Sequence, residues 1–142
     1  MSIEEKIKIG LVGFLEGEGY MDILFRVLSE RKYDDPESLE RAWDAGPRSK
    51  EFEDLYDSLM DDMREYGYYP ENIGEDFYAS LIEGDQLTQK EIMQNSVVST
   101  GIEQLKGNKE VIINFVNSIV SIIFRDVIWQ YIKKTMNSNY DA

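Results

Sequence analysis

The sequence predicts an all-α protein, a single-domain bundle of about six to seven helices around an apolar C-terminal helix at about 109–136. Apolar residues recur at helical spacing along most of the chain, capping signals and glycines divide it into segments, and one segment is far more apolar than the others. A chain of 142 residues is long enough to bury a substantial core. We therefore expect residues 1–142 to form one helical domain.

The most apolar segment lies near the C-terminus, where residues 111–124 carry no charge before Arg125 and Asp126. A membrane span needs about 20 apolar residues, and charges are costly in lipid, so we interpret this segment as the central core helix. A membrane helix and a face buried against a second copy or a partner are the alternatives. Its polar residues recur at i, i+4, i+7 and i+11 on one narrow stripe, namely Asn114, Ser118, Ser121 and Arg125. The residues beside that stripe are expected to be buried.

The first helix is predicted from a capping-box pattern at Ser2 and Glu5 and continues at helical spacing to Leu15. Gly10 and Gly13 interrupt it, and close packing against another helix would explain both glycines. A glycine-rich turn then precedes a second helix at about 20–31. The inward residues of this second helix are expected to be Ile23, Leu24, Val27 and Leu28.

The third and fourth helices carry the strongest start and stop signals. Asp35 and Pro36 mark the start of the short third helix, which ends at Gly46. Ser49 is expected to cap the fourth helix, and Gly67 ends it. This helix has the clearest amphipathic pattern in the chain, with an apolar stripe of Phe52, Leu55, Tyr56, Leu59, Met63 and Tyr66.

The remaining segments read less clearly. Residues 68–72 are expected to form a turn, followed by a short helix at about 75–83. A second capping box at residues 88–91 predicts another helix to about 105, and poor helix formers predict a kink near its middle. The last six residues, 137–142, are expected to fray.

The chain has neither cysteine nor histidine. Disulfides, thiolate zinc sites and cysteine nucleophiles are therefore excluded, and so is the commonest general base. We predict a protein that is not an enzyme and has no catalytic residues, cofactor or metal. A carboxylate-based enzyme and weak Ca²⁺ or Mg²⁺ binding are the alternatives. No signal peptide is visible, and we expect a cytoplasmic protein.

The net charge of −13 is confined to the middle of the chain. Residues 34–85 hold 17 Asp and Glu against four Arg and Lys, which accounts for all of it, whereas the two flanks are neutral together. Such a charge repels nucleic acid and anionic membranes and attracts basic surfaces. The sequence therefore predicts a basic protein partner, with no direct nucleic-acid binding and no membrane binding.

Carboxylates on the fourth helix recur at strict i, i+4 spacing. Such neighbours lie about 5–6 Å apart, which is comparable to the separation of phosphates along one nucleic-acid strand. Like charges at this spacing destabilise a helix by about 0.2–0.5 kcal/mol a pair, and this cost favours a binding role. The candidate partner-binding residues are Glu53, Asp54, Asp57, Asp61, Asp62 and Glu65 on the fourth helix, with Glu37, Glu40 and Asp44 on the third.

These patterns predict a non-catalytic acidic inhibitor that occupies the basic, nucleic-acid-binding surface of a partner. The partner would be a nucleic-acid-handling protein or a toxin. The inhibitor would then be a DNA-mimic anti-defence protein of the anti-restriction or anti-CRISPR type, or a toxin-immunity protein. Small acidic helical proteins of phages and mobile elements share this composition, and no family motif supports the analogy. One alternative is a solvated acidic face that binds nothing. Another is a structural or regulatory helical module that forms a homodimer through residues 111–132.

Overall fold

The computed structural model describes residues 3–83 and 109–140, and in these ranges every regular element is a helix. The all-α class is therefore confirmed, as is the apolar C-terminal helix. The α-helices are α1 Ile3–Gly17, α2 Tyr20–Asp34, α3 Pro36–Ala45, α4 Lys50–Glu65, α5 Ile73–Glu83 and α6 Lys109–Tyr140, and a 3-10 helix spans Pro70–Asn72.

Helix boundaries agree with the sequence patterns to within a few residues. α2 continues to Asp34, because the next backbone N–H, that of Asp35, still donates to the carbonyl of Arg31 at 2.8 Å. α5 begins at Ile73, directly after the 3-10 turn. α6 continues to Tyr140, so the expected fraying of residues 137–140 is wrong. The cap at Ser2 and the helix predicted at 88–105 lie outside the described residues.

The chain divides into two compact units. One comprises Met1–Glu18 and Glu71–Ser121, and the other comprises Gly19–Pro70 and Ile122–Ala142. α1 and α5 belong to the first unit, and α2, α3 and α4 belong to the second. The two ends of α6 fall in different units. The prediction of one domain over residues 1–142 stays a prediction.

Close helix packing in the first unit occurs at Gly74. A Cβ atom there would lie 2.5 Å from Oδ1 of Asn117 and 3.0 Å from Cγ2 of Ile113, so a larger residue would require these side chains of α6 to move. A Cβ atom at Gly10 would lie 3.6 Å from the ring of Phe77, an ordinary van der Waals distance, and a Cβ atom at Gly13 would have open space. Close packing therefore does not explain either Gly10 or Gly13, and that expectation is wrong. Buried residues of this unit are Ile7, Leu11, Leu15, Ile73, Phe77, Ile112, Val116, Ile119 and Val120.

The second unit has an aromatic cluster where α3, α4 and α6 meet. The rings of Trp43 and Trp129 stack with centroids 5.2 Å apart, and Phe52 meets Trp129 edge-on at 6.1 Å. Such ring pairs contribute about 0.5–1.5 kcal/mol beyond their buried area. The largest fully buried side chains around the unit's core are Leu24, Leu28, Leu39, Phe52, Leu59, Met63, Phe124, Ile128 and Ile132.

Burial along α6 follows a narrower stripe than its composition indicates. Asn114 and Ser118 are exposed, in agreement with the predicted polar stripe. Two apolar residues are exposed as well, Val111 at 51% and Ile122 at 65%. The expectation that every residue beside the polar stripe is buried is therefore wrong. A helix buries the side that meets its neighbours, whatever residues its other side carries.

By length and composition α6 could also cross a membrane. Glu110–Asn137 contains an 18-residue window of mean hydropathy 1.8, of which 33% is buried. One helix of this kind is weak evidence for a span, because core helices of soluble proteins meet the same criterion. Arg125 lies in this range and is ion-paired with Glu53 of α4, a pair that would be costly to place in lipid.

Candidate partner-binding surface

The start of α4 is fixed by local hydrogen bonds. The Ser49 hydroxyl accepts from the backbone N–H of Phe52 at 3.1 Å, as the predicted N-cap requires, and donates to the carbonyl of Gly46 at 2.6 Å. Gly46 has a φ of 96°, a left-handed conformation that favours glycine. These hydrogen bonds hold the short connection from α3 into α4 and set where the acidic residues of α4 begin.

Apolar residues determine which side of α4 points outward. Phe52, Leu55, Leu59, Met60 and Met63 are buried. With 3.6 residues per turn, the carboxylates at i, i+4 spacing then project from the other side. Asp54, Asp57, Asp61 and Glu65 are exposed, and Glu53 and Asp62 are half-buried at its edges.

Glu53 forms a two-bond ion pair with Arg125 of α6. Nη2 of Arg125 donates to Oε1 of Glu53 at 2.9 Å, and Nη1 donates to Oε2. The guanidinium also lies over the ring of Tyr56, 4.3 Å from its centroid. Hydrogen bonding with Arg125 lowers the pKa of Glu53, and the same bond raises the pKa of Arg125. The first carboxylate of the row is therefore held inside the second unit.

Asp62 is held in the same way from the opposite side of α4. Nη2 of Arg31 donates to Oδ2 of Asp62 at 2.8 Å and to the hydroxyl of Ser58 at 2.5 Å. Nη1 of Arg31 reaches Asp35, the N-cap of α3, at 3.4 Å. Only 16% of the Arg31 side chain is exposed. Arg31 of α2 thus contacts both the N-cap of α3 and the side of α4.

The remaining carboxylates of α4 point toward solvent. Asp61 accepts from Arg64 one turn away at 2.5 Å, but 75% of its side chain is exposed. Among the described residues, Asp54, Asp57 and Glu65 have no ion pair within 4.0 Å. Exposed carboxylates that form no ion pair at this distance are the groups that a basic surface could bind.

The three candidates on α3 lie on its exposed side. Glu37, Glu40 and Asp44 are all exposed, whereas Leu39 and Ala42 are buried. Their spacing of three and four residues places them on one helix face. The structure therefore brings Glu37, Glu40 and Asp44 together on the exposed side of α3.

Two open clefts border α4. One, of about 280 Å³, is lined by Arg31, Ser38, Arg41, Glu51, Asp54, Leu55 and Ser58. The other, of about 250 Å³, is lined by Glu30, Arg31, Asp34, Asp62, Glu65 and Tyr66. Both are smaller than the usual 300–1,000 Å³ of ligand pockets. In the described ranges no group of three or more Asp and Glu is arranged to hold a metal ion.

Tyr66 lines the second cleft. The sequence patterns had placed this residue on the apolar stripe of the fourth helix. It is exposed, and its hydroxyl donates to the carboxylate of Glu30, with O–O distances of 2.7 and 2.8 Å. Arg26 lies over the same ring at 4.6 Å. Hydrogen bonding lowers the pKa of Glu30 and raises that of Tyr66. Tyr66 directly follows the last residue of α4. A helical stripe can turn away from the core at a helix end, and this position could have indicated that Tyr66 is exposed.

Comparisons with known proteins transfer no function to this surface. Function must therefore be inferred from the charges, ion pairs and exposure of its own side chains, together with the sequence patterns. No protein-family model, curated protein or solved structure matches the chain.

Proposed function

We propose that this protein is a non-catalytic acidic inhibitor that occupies the basic, nucleic-acid-binding surface of a partner protein. The observation that carries the proposal is the outward side of α4, where Asp54, Asp57 and Glu65 are exposed and have no ion pair among the described residues. A DNA-mimic anti-defence protein, of the anti-restriction or anti-CRISPR type, and a toxin-immunity protein both fit this chemistry.

Long-range electrostatics support a basic partner. The whole net charge of −13 falls within residues 34–85, which include α3 and α4. A field of one sign steers an oppositely charged surface and accelerates association, and salt weakens both effects. The same field repels nucleic acid, so the protein would compete with nucleic acid for the partner rather than bind it.

The internal ion pairs also limit the proposal. Arg125 pairs with Glu53, so the row of carboxylates at positions 53, 57, 61 and 65 is shorter by one for a partner. Asp62, beside that row, shares Arg31 with Asp35. The two arginines thereby offset part of the repulsion between like charges on α4, for which the sequence pattern showed no nearby compensation. The exposed carboxylates of α4 and the net charge of residues 34–85 therefore support a basic partner more strongly than a regular, phosphate-like spacing of carboxylates does.

The test is affinity capture from a lysate of the organism's host with a charge-matched control. The surface variant carries Asp54→Asn, Asp57→Asn and Glu65→Gln, and the control carries Glu16→Gln, Glu18→Gln and Asp126→Asn, three exposed carboxylates outside α3 and α4. We expect the wild type and the control to retain the same basic protein at about 50 mM salt and to release it at several hundred millimolar. The surface variant should not retain it.

Purified partner then decides between a site-directed inhibitor and general charge attraction. We expect duplex DNA or RNA to compete with the protein for the partner, because both would occupy one basic surface. Equal retention by all three proteins, or a partner whose binding nucleic acid does not affect, would contradict the proposed function.

A second candidate is self-association through α6, which the exposure of Val111 and Ile122 favours. Exposed apolar side chains are common singly on soluble proteins, so the oligomeric state has to be measured. Analytical ultracentrifugation of the wild type and of Ile122→Ser tests it. A concentration-dependent dimer that the substitution abolishes would support this function, and a monomer at high concentration would exclude it.

A further inference from the structure

We infer that Glu53 and Asp62 belong to the fold and not to the partner-binding surface, which on α4 consists of Asp54, Asp57, Asp61 and Glu65. This inference rests on the proposed function, because it divides the residues of that same surface. It names Arg125 and Arg31 as positioning residues that hold α4 from its two sides. It also removes two carboxylates from the candidate site that the sequence pattern indicates.

The pair between Arg125 and Glu53 has the geometry of a structural contact. Both carboxylate oxygens accept from the same guanidinium, and the guanidinium also stacks on Tyr56. Arg125 has 34% of its side chain exposed and Glu53 has 47%. A partner that took Glu53 would therefore have to break both of its hydrogen bonds to a partly buried arginine, which is costly.

Arg31 holds Asp62 by one hydrogen bond, and the Arg31 side chain is mostly buried. Its guanidinium also reaches Ser58 and Asp35. Asp62 could turn toward a partner only by giving up its bond to this mostly buried arginine.

The two arginine contacts reinforce the orientation that burial of its apolar side gives to α4. Glu53 and Asp62 are nine residues apart, and nine residues at 3.6 per turn is two and a half turns, so the two side chains leave α4 on opposite sides. Arginines on both sides resist rotation of the helix in either direction. The carboxylates that remain point away from the core, and their direction is fixed before any partner arrives.

A charge swap separates a structural pair from a binding residue. In the variant Glu53→Arg/Arg125→Glu the net charge and the ion pair are kept, but the carboxylate moves from α4 to α6. Each single reversal, Glu53→Arg or Arg125→Glu, places like charges together and should lower the melting temperature by about 5 °C or more. The swap should recover most of that loss. Glu65→Arg, the control on the outward side, should melt at or slightly above the temperature of the wild type, because a positive charge is favourable in the last turn of a helix.

Binding to the partner that the wild type retains gives the second measurement. We expect the swap to bind within about threefold of the wild type and Glu65→Arg to lose at least tenfold, by loss of a charge-assisted contact. A folded swap that loses tenfold would overturn the inference, because Glu53 would then be a contact residue. Unchanged melting of Glu53→Arg would overturn it as well.

The melting and binding measurements together distinguish a failure of this inference from a failure of the proposed function. If the wild type retains no salt-sensitive partner, the proposed function fails, whereas the melting temperatures still show whether Arg125 holds Glu53 in the fold. If the partner binds and the swap abolishes binding, the proposed function stands and the division of the surface fails.

Discussion

α4 and α6 differ in how their composition relates to their surroundings. α4 separates apolar from acidic residues around its axis, and four of its five buried residues, Phe52, Leu55, Leu59 and Met63, are among those that the spacing predicts. Met60 is buried as well, whereas Tyr56 is half-buried and Tyr66 is exposed. α6 is apolar on most sides, yet burial is confined to one stripe, and Ile122 is 65% exposed. A strongly two-sided helix thus fixes its own orientation, whereas a uniformly apolar helix takes its orientation from its neighbours.

The largest expected effect tests whether the two sides of α6 contribute to stability according to their burial or according to their apolar composition. Phe124→Ala removes a fully buried ring, and we expect a loss of about 3–5 kcal/mol in the free energy of unfolding. Ile122→Ala, two residues away on the exposed side, should change it by no more than about 0.5 kcal/mol. Urea denaturation of both variants measures the difference. Similar losses for both would mean that the two sides of α6 are equally buried in solution.

The next effect concerns the close approach of α5 to α6. Gly74→Ala places a methyl group 2.5 Å from Oδ1 of Asn117, and we expect it to destabilise the protein by about 1–3 kcal/mol. Gly13→Ala, where no atom lies within 4 Å, should be neutral or stabilise by up to about 1 kcal/mol. Thermal melting of the two variants compares them directly. A stabilising Gly74→Ala would show that the helices are further apart than described.

A smaller effect should appear as a dependence of stability on pH. Arg125 holds the pKa of Glu53 below its ordinary value of 4.5 in the folded protein. The ion pair therefore stabilises the fold above the unfolded-state pKa, and this contribution is lost as pH falls through the folded-state pKa. Urea denaturation from pH 6 to about pH 3 should show a loss below about 1 kcal/mol after solvent screening. Glu53→Gln should remove that part of the pH dependence, and an unchanged profile would contradict the pairing.

The smallest effect lies within α4 itself. Glu65 occupies the last turn of α4, where a negative charge opposes the helix dipole, and Glu51 occupies the first turn. We expect Glu65→Gln to raise the free energy of unfolding by about 0.3 kcal/mol and Glu51→Gln to lower it by a similar amount. Because both variants replace Glu by Gln, effects of that replacement that do not depend on position are the same in both. The difference between the two variants therefore reports the helix dipole. Equal signs would show that tertiary charges outweigh the dipole.

The fold was largely predictable because its signals are local. Asp35 and Ser49 accept hydrogen bonds from residues three positions away, at Ser38 and Phe52. Such caps depend on neighbouring residues alone, so the starts of α3 and α4 could be located without knowledge of the tertiary structure. The end of α6 was not predictable in this way, because burial of Thr135 and Met136 supports its last turns.

The candidate surface was predictable only in part. The spacing of Asp57, Asp61 and Glu65 on the outward side of α4 followed from helix geometry. The partners of Glu53 and Asp62 did not, because Arg125 and Arg31 are 72 and 31 positions away in the chain. Pairing over such separations is decided by how α2 and α6 pack against α4, which helical periodicity does not encode.

The stacked indoles described above give the protein a built-in optical reporter. The chain has two tryptophans, Trp43 and Trp129, and both lie in the second compact unit. Tryptophan emission therefore follows the melting of that unit alone, whereas far-ultraviolet circular dichroism follows all helices. Coincident transitions would show that the two units unfold as one cooperative domain. Separated transitions would show two, and no label would have to be attached to find out.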